Sequence, residues 1–120
     1  MKYFLIAGER SGDLYGGNLI RQLLIVDPKA EIVCYGGDFM EQNGAKLLDH
    51  YKDSAFMGFY EVVANLRIIK KRIDKCKTDL LKFQPDALIL IDYPGFNLRM
   101  AKFGHQKGIS TAYYISPKIW

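Results

Sequence analysis

Three short polar turns carry the residue types that could do chemistry: Gly8-Glu9-Arg10-Ser11-Gly12-Asp13, Asp92-Tyr93-Pro94-Gly95 and Ser116-Pro117. Each follows an apolar or strand-like run: Tyr3 to Ala7, Ala87 to Ile91, and Ser110 to Ile115. A carboxylate that ends a buried strand is held rigidly at a rim, where it can accept a proton from a reacting hydroxyl. Asp92 has that placement after the most apolar run, ALILI, and Glu9 has it after the first. Both also have a plainer reading, because Asp commonly hydrogen-bonds the turn that follows it. A glycine-rich helix entry can hold an anion or sugar hydroxyls through its open N–H groups and the helix dipole. Ser11 fits that role or a simple helix cap.

The familiar motifs mostly fail on these turns. Gly8, Gly12 and Gly16 are four apart, which is neither G-x-G-x-x-G nor a phosphate loop ending in G-K-[ST]. The first turn has one residue too many before Ser11 for a nucleophile elbow, and neither His50 nor His105 suggests a partner base. With no Asp-x-Asp and no H-x-x-x-H, the sequence predicts no metal.

The elements that must position these turns alternate along the chain. Residues 3–7 predict a strand, and Leu19, Ile20, Leu23 and Leu24 give helical spacing over Asp13 to Val26. EIVCY at 31–35 predicts a second strand, and Phe39 to Asn43 a short helix stopped at Gly44. Lys46 to Met57 shows no clear period. Val62, Leu66, Ile69, Ile73, Cys76 and Leu80 then form one long helical stripe, ended by Gln84-Pro85. ALILI is apolar at every position, as a central parallel strand covered on both faces must be. Phe96, Met100, Phe103 and Lys107 trace another helix to Gly108, and Ser110 to Ile115 the last strand. The alternation predicts an α/β, Rossmann-like parallel sheet with helices on both faces, and ligands collect at the carboxyl ends of such strands.

Composition agrees with one domain over residues 1–120: hydrophobic residues are 49% and charged residues 25%, without low-complexity bias. No apolar run approaches the ~20 residues of a membrane span, and no leader is legible, so an unexported, cytoplasmic protein is expected. Cys34 and Cys76 lack metal-ligand spacing and are expected as buried thiols. The net charge of +4 is concentrated between Leu66 and Lys82, where seven bases face two acids. That basic helix is either a solvated outer face or a surface for anionic lipid. Without an aromatic platform or basic arm, no nucleic acid is expected.

Taken in order, AGERSGDLYGGNLI, YGGDFMEQNGAK, FMGFYEVVANL, PDALILIDYPGFNLRMAK and YYISPKIW resemble the successive blocks of the bacterial lipid-A-disaccharide synthase family. The resemblance implies that residues 1–120 are the N-terminal, acceptor-side half of a two-domain GT-B glycosyltransferase, lacking the C-terminal UDP-sugar-binding domain and so inactive alone. It implies an inverting, metal-independent transfer from UDP-2,3-diacylglucosamine to 2,3-diacylglucosamine 1-phosphate. No cofactor is implied beyond the UDP-sugar donor. By the same resemblance Asp92 matches the general base and Glu9 the carboxylate of the first turn. Substrate-binding positions would be Ser11, Gly12, Asp13, Met57, Gly58, Tyr93, Phe96, Asn97, Ser116 and Pro117. Gly95 departs from the pattern, since many relatives carry a second aspartate there. The apolar stretch Ala55 to Phe59, without helical period, either fills the core or admits acyl chains or the membrane surface, and the latter would place the protein peripherally on the cytoplasmic face of the inner membrane. Another GT-B or UDP-sugar enzyme, such as a lipid-linked glucosaminyltransferase or an epimerase, stays open at this point, as does a non-catalytic flavodoxin-like binding module.

Overall fold

Apolar runs too short for helices become strands here, and stripes at helical spacing become the helices that cover them. A computed structural model describes residues 1–55 and 62–115, with the backbone alone for 54, 55 and 62–66. The elements run β1 (Lys2–Ala7), α1 (Arg10–Val26), β2 (Glu31–Gly36), α2 (Asp38–Gln42), β3 (Lys46–His50) and α3 (Lys52–Ala55). They continue as α4 (Val62–Phe83), β4 (Ala87–Ile91), α5 (Pro94–Gln106) and β5 (Ser110–Tyr114). All five strands pair in parallel in the order β3-β2-β1-β4-β5.

Strand alternation sorts the core into two layers. Phe4, Ile6, Tyr35, Leu88 and Leu90 face Ile73, Cys76 and Leu80 of α4 and Phe96 and Met100 of α5. Leu5, Ala7, Cys34 and Ile91 face Ile20 of α1 and Met40 of α2 on the opposite side. Each such side chain contributes roughly 1.5–3 kcal/mol when fully buried. The complete apolarity of ALILI follows from this double cover: Leu88 and Leu90 serve one layer, Ile89 and Ile91 the other.

The structure departs from the sequence expectation in three places. First, α1 opens at Arg10, three residues before Asp13, because the Asp13 N–H already donates to the Glu9 carbonyl at 2.9 Å. Ser11 therefore lies inside the first turn and does not cap it. Second, β3 occupies part of the stretch that had no period, and its ladder with β2 shifts register between Cys34 and Tyr35. Third, α4 is not solvated along its whole basic face. Arg72 Nη1 donates to Asp49 Oδ1 at 3.0 Å, and Lys75 Nζ reaches Asp79 at 3.0 Å and the Tyr35 hydroxyl at 3.1 Å. Tyr35 in turn donates to Asp79, and burial followed by that bond raises the Tyr35 pKa. Two of the bases are thus anchors of α4 on β2 and β3.

Both cysteines are free and buried. Burial, with the Asp13 and Glu41 charges adding to it, pushes the Cys34 thiol up to about 12, and burial raises Cys76 likewise. Among the described residues no helix is long and apolar enough to cross a membrane.

Candidate active site

Strand order reverses between β1 and β4: the chain builds leftward from β1 through β2 and β3, then rightward from β4 to β5. The crevice outside the strand ends at such a switch point is where open α/β sheets take ligands. Ala7 pairs with Ile91, so the first turn and the Asp92 turn leave the sheet side by side. Two of the three polar turns predicted to carry chemistry therefore share one rim. Met57, Gly58, Ser116 and Pro117 lie outside the described residues.

Asp92 is 5% exposed and has a left-handed backbone, φ 46°, and Tyr93 follows at φ 54°. Two consecutive non-glycine residues in that region persist only where surroundings enforce it, and such strain collects at functional sites. Contacts from three neighbouring segments help to enforce it. The Asp92 N–H donates to the Tyr114 carbonyl at 2.8 Å. Its own carbonyl accepts from Asn97 Nδ2 at 2.9 Å and from the Tyr113 hydroxyl at 2.8 Å. Tyr93 stacks on Phe96 with centroids 5.2 Å apart and planes at 12°. Pro94 then starts α5 at a position where its missing N–H leaves no bond unmade. Burial raises the Tyr93 pKa, and burial together with the nearby Asp92 charge raises that of Tyr113, so both rings stand as neutral hydroxyls.

Glu9 sits at the N-cap position of α1, exposed and extended at φ −156°. Its carboxylate caps nothing and instead accepts from Ser11 Oγ at 3.2 Å. That leaves Glu9 and Ser11 as a polar pair on the rim, open to a ligand's hydroxyls.

Four residues assigned to substrate are built into the fold. Asp13 is 5% exposed, and its two oxygens accept the backbone N–H groups of Gly37, Phe39 and Met40, each at 3.0 Å. It is the cap of α2, supplied from another helix. Gly12 is buried because a Cβ there would stand 3.0 Å from Ala7 Cβ, so it sets how closely α1 lies on β1. Asn97 is fully buried, and its Nδ2 reaches the carbonyls of Ile6 and Ile91, both at 3.3 Å, besides that of Asp92. Phe96, 3% exposed, is likewise core. Tyr113 belongs to the site and was not singled out by the sequence; only its position at a strand end, opposite ALILI, could have marked it.

Gly8 and Gly95 differ sharply in what they allow. A Cβ on Gly8 would fall 2.3 Å from the Tyr93 ring, at the ring's base, so the whole side chain would have to move. At Gly95 a Cβ meets nothing within 4 Å. Gly8→Ala is therefore expected to destabilise the chain by about 1–3 kcal/mol and to unseat Tyr93 from Phe96. Gly95→Ala, in the first turn of α5, is expected to be neutral or stabilising by up to about 1 kcal/mol. Thermal melting with aromatic NMR of the two variants checks the contrast; equal melting temperatures would contradict it.

Comparisons with known proteins agree on one relationship. The family model described as lipid-A-disaccharide synthetase matches residues 3–120. A lipid-A-disaccharide synthase of Trichlorobacter lovleyi is 42% identical over 119 residues, which are 99% of this chain and 31% of that protein. Lipid-A-disaccharide synthase 1 of Legionella pneumophila is 42% identical over 117 residues, covering 97% and 30%. The Coxiella burnetii protein of the same name is 39% identical over 116 residues, covering 97% and 31%. The chain thus spans about 31% of the length of these curated relatives. In fold it is similar to UDP-GlcNAc 2-epimerase from Neisseria meningitidis, crystallised with UDP-GlcNAc, at a TM-score of 0.65 and 12% identity, over 94% of this chain and 31% of that one. With a match that runs from the first strand through the Asp92 turn to the end of the chain, the protein belongs to the lipid-A-disaccharide synthetase family.

Proposed function

We propose that this chain is the N-terminal, acceptor-side half of a GT-B glycosyltransferase that joins UDP-2,3-diacylglucosamine to 2,3-diacylglucosamine 1-phosphate. The observation that supports it best is the placement of Asp92: a carboxylate residue on a strained, multiply tied turn at the switch point, beside Glu9. In the reaction, the Asp92 carboxylate takes the proton of the acceptor hydroxyl as its oxygen attacks the anomeric carbon. The bond from that carbon to UDP breaks, and UDP leaves with the electron pair. Proton removal of this kind contributes about 10²- to 10⁴-fold. Glu9 and Ser11 hold sugar hydroxyls across the crevice. UDP contacts and leaving-group stabilisation come from the C-terminal half carried by the longer protein, and neither metal nor further cofactor takes part.

The test is direct. The full-length protein, given both acylated sugars, is expected to yield the disaccharide 1-phosphate and UDP by mass spectrometry, and residues 1–120 alone none. Failure of the full-length protein to form the disaccharide would end this reading; product from the short chain would show that the second half is dispensable.

The lipid-linked substrates place the enzyme at the cytoplasmic face of the inner membrane. Exposed Lys70 and Lys71 of α4, with Arg99 and Lys102 of α5, would form the outward basic surface for it, with Lys70 also reaching Asp74 at 3.0 Å in an exposed pair. Each such base near an anionic surface adds about 1 kcal/mol. Lys70→Glu with Lys71→Glu is expected to release the protein from anionic vesicles in flotation; unchanged flotation would rule that surface out. Lys75 differs from Lys70 in that it also donates to the part-buried Tyr35 hydroxyl at 3.1 Å, and it is left out of the surface for that reason.

A further inference from the structure

Asp92 has a peptide group on either side of its Cα, and both are tied to the same strand. The N–H of the first donates to the Tyr114 carbonyl at 2.8 Å, and the carbonyl of the second accepts from the Tyr113 hydroxyl at 2.8 Å. Fixing the two rigid planes that meet at a Cα also fixes the direction of its Cα–Cβ bond. Consecutive residues of β5, one through its backbone and one through its side chain, thereby aim the Asp92 side chain. The ties join neighbouring strand ends and stand whatever covers the outside of the sheet. Tyr113 lies opposite Leu90 in the ladder, and its ring packs on the core layer beneath α4 and α5.

Of the two, the Tyr113 bond opposes the strain. Asp92 and Tyr93 both hold left-handed backbone, at φ 46° and 54°, which is costly for residues that carry a Cβ. Rotation of the peptide between them would relieve that strain, and the carbonyl of this peptide is the one that Tyr113 holds. Asn97 Nδ2 reaches the same oxygen at 2.9 Å, but it divides two hydrogens among three acceptors, since the Ile6 and Ile91 carbonyls each lie at 3.3 Å. The Tyr113 hydroxyl has a single hydrogen and gives it here. It keeps that hydrogen, because burial and then the Asp92 charge raise its pKa.

From these bonds we infer that Tyr113 is a positioning residue for the reaction, holding the Asp92 carboxylate at the angle from which it meets the acceptor hydroxyl. The inference rests on the reading of Asp92 as the base and adds the group that keeps that base in line. Tyr113 acts through Asp92 and not on the substrate. Alignment of this kind matters because a misplacement of about 1 Å can cost about 10²-fold in rate.

Kinetics of the full-length protein with both acylated sugars test this. Tyr113→Phe keeps the ring in its packing and removes the donor. It is expected to lower kcat about tenfold, with KM for either sugar within about twofold of the parent. Tyr113→4-aminophenylalanine restores an N–H donor at the same place and is expected to recover most of that loss. The deciding arm is Tyr113→Phe added to Asp92→Asn. A residue that acts through Asp92 has nothing left to act on there, so the double variant is expected to be no slower than Asp92→Asn alone. A general weakening of the fold would slow both backgrounds equally. A Tyr113→Phe kcat within about twofold of the parent, no recovery by the aminophenyl ring, or the same loss in both backgrounds overturns the inference and leaves Asp92 as the base. Near-parent turnover of Asp92→Asn overturns the base and the positioning role together. No disaccharide from the parent protein ends the glycosyltransferase reading.

Discussion

Asp92→Asn in the full-length protein is expected to lower kcat about 10²- to 10⁴-fold while KM and melting temperature stay near those of the parent. The substitution exchanges one carboxylate oxygen for an amide NH₂ in a side chain of the same shape. Asparagine shares aspartate's tolerance of left-handed backbone, so the φ of 46° is kept. The bonds that hold the turn, to the Tyr114 carbonyl and from Asn97 and Tyr113, run through the Asp92 backbone and survive the change. Asp92→Ala is a poorer probe because alanine adds the left-handed penalty of roughly 1–2 kcal/mol and blurs chemistry with folding. Steady-state kinetics beside thermal melts decide the matter. A kcat within a few-fold of the parent would take Asp92 out of the proton transfer and leave Glu9 as the base to test.

The second large effect is on stability. Asp13→Ala is expected to destabilise the chain by about 3 kcal/mol, since hydrogen bonds to a charged group contribute about 1.5–3 kcal/mol each and water recovers only part. Three backbone donors depend on this one carboxylate: Gly37, Phe39 and Met40, all at 3.0 Å. They belong to the start of a five-residue helix, too short to hold itself. The approach is so close that a Cβ on Gly37 would lie 2.6 Å from Asp13 Oδ2, so the glycine and the carboxylate form one device. Asp13→Asn should fall between, because its amide NH₂ must face a donor. Urea unfolding gives the magnitude, and faster amide exchange at Gly37, Phe39 and Met40 gives the location. An unfolding midpoint unchanged in Asp13→Ala would show that α2 has other support.

Much of the architecture was legible because it depends on local pattern. YFLIA, EIVCY and ALILI could only be covered strands, and the stripe from Val62 to Leu80 could only be a packed helix. Strand β3 was not legible: KLLDH carries Lys46, Asp49 and His50, and its pairing to β2 passes through a register shift that leaves no period to read. The site divides the same way. Polar turns after apolar runs locate Glu9 and Asp92 at the ends of adjacent strands, since a strand's end is a local fact. Asp13, Gly12 and Asn97 were placed at substrate because their partners, as distant as 91 residues in the case of Asn97 and Ile6, cannot be seen from their own neighbourhood. Ser11 reads as a cap only for a helix starting near Asp13, and with α1 opening at Arg10 it lies inside the first turn.

The side chain of Asn97 bridges carbonyls from both strands that bound the crevice, Ile6 on one and Ile91 with Asp92 on the other. It acts as a rivet through the seam. Parting the two walls would have to break these three bonds as well as the ladder between β1 and β4. The seam thereby gains a tie that neither strand could supply alone.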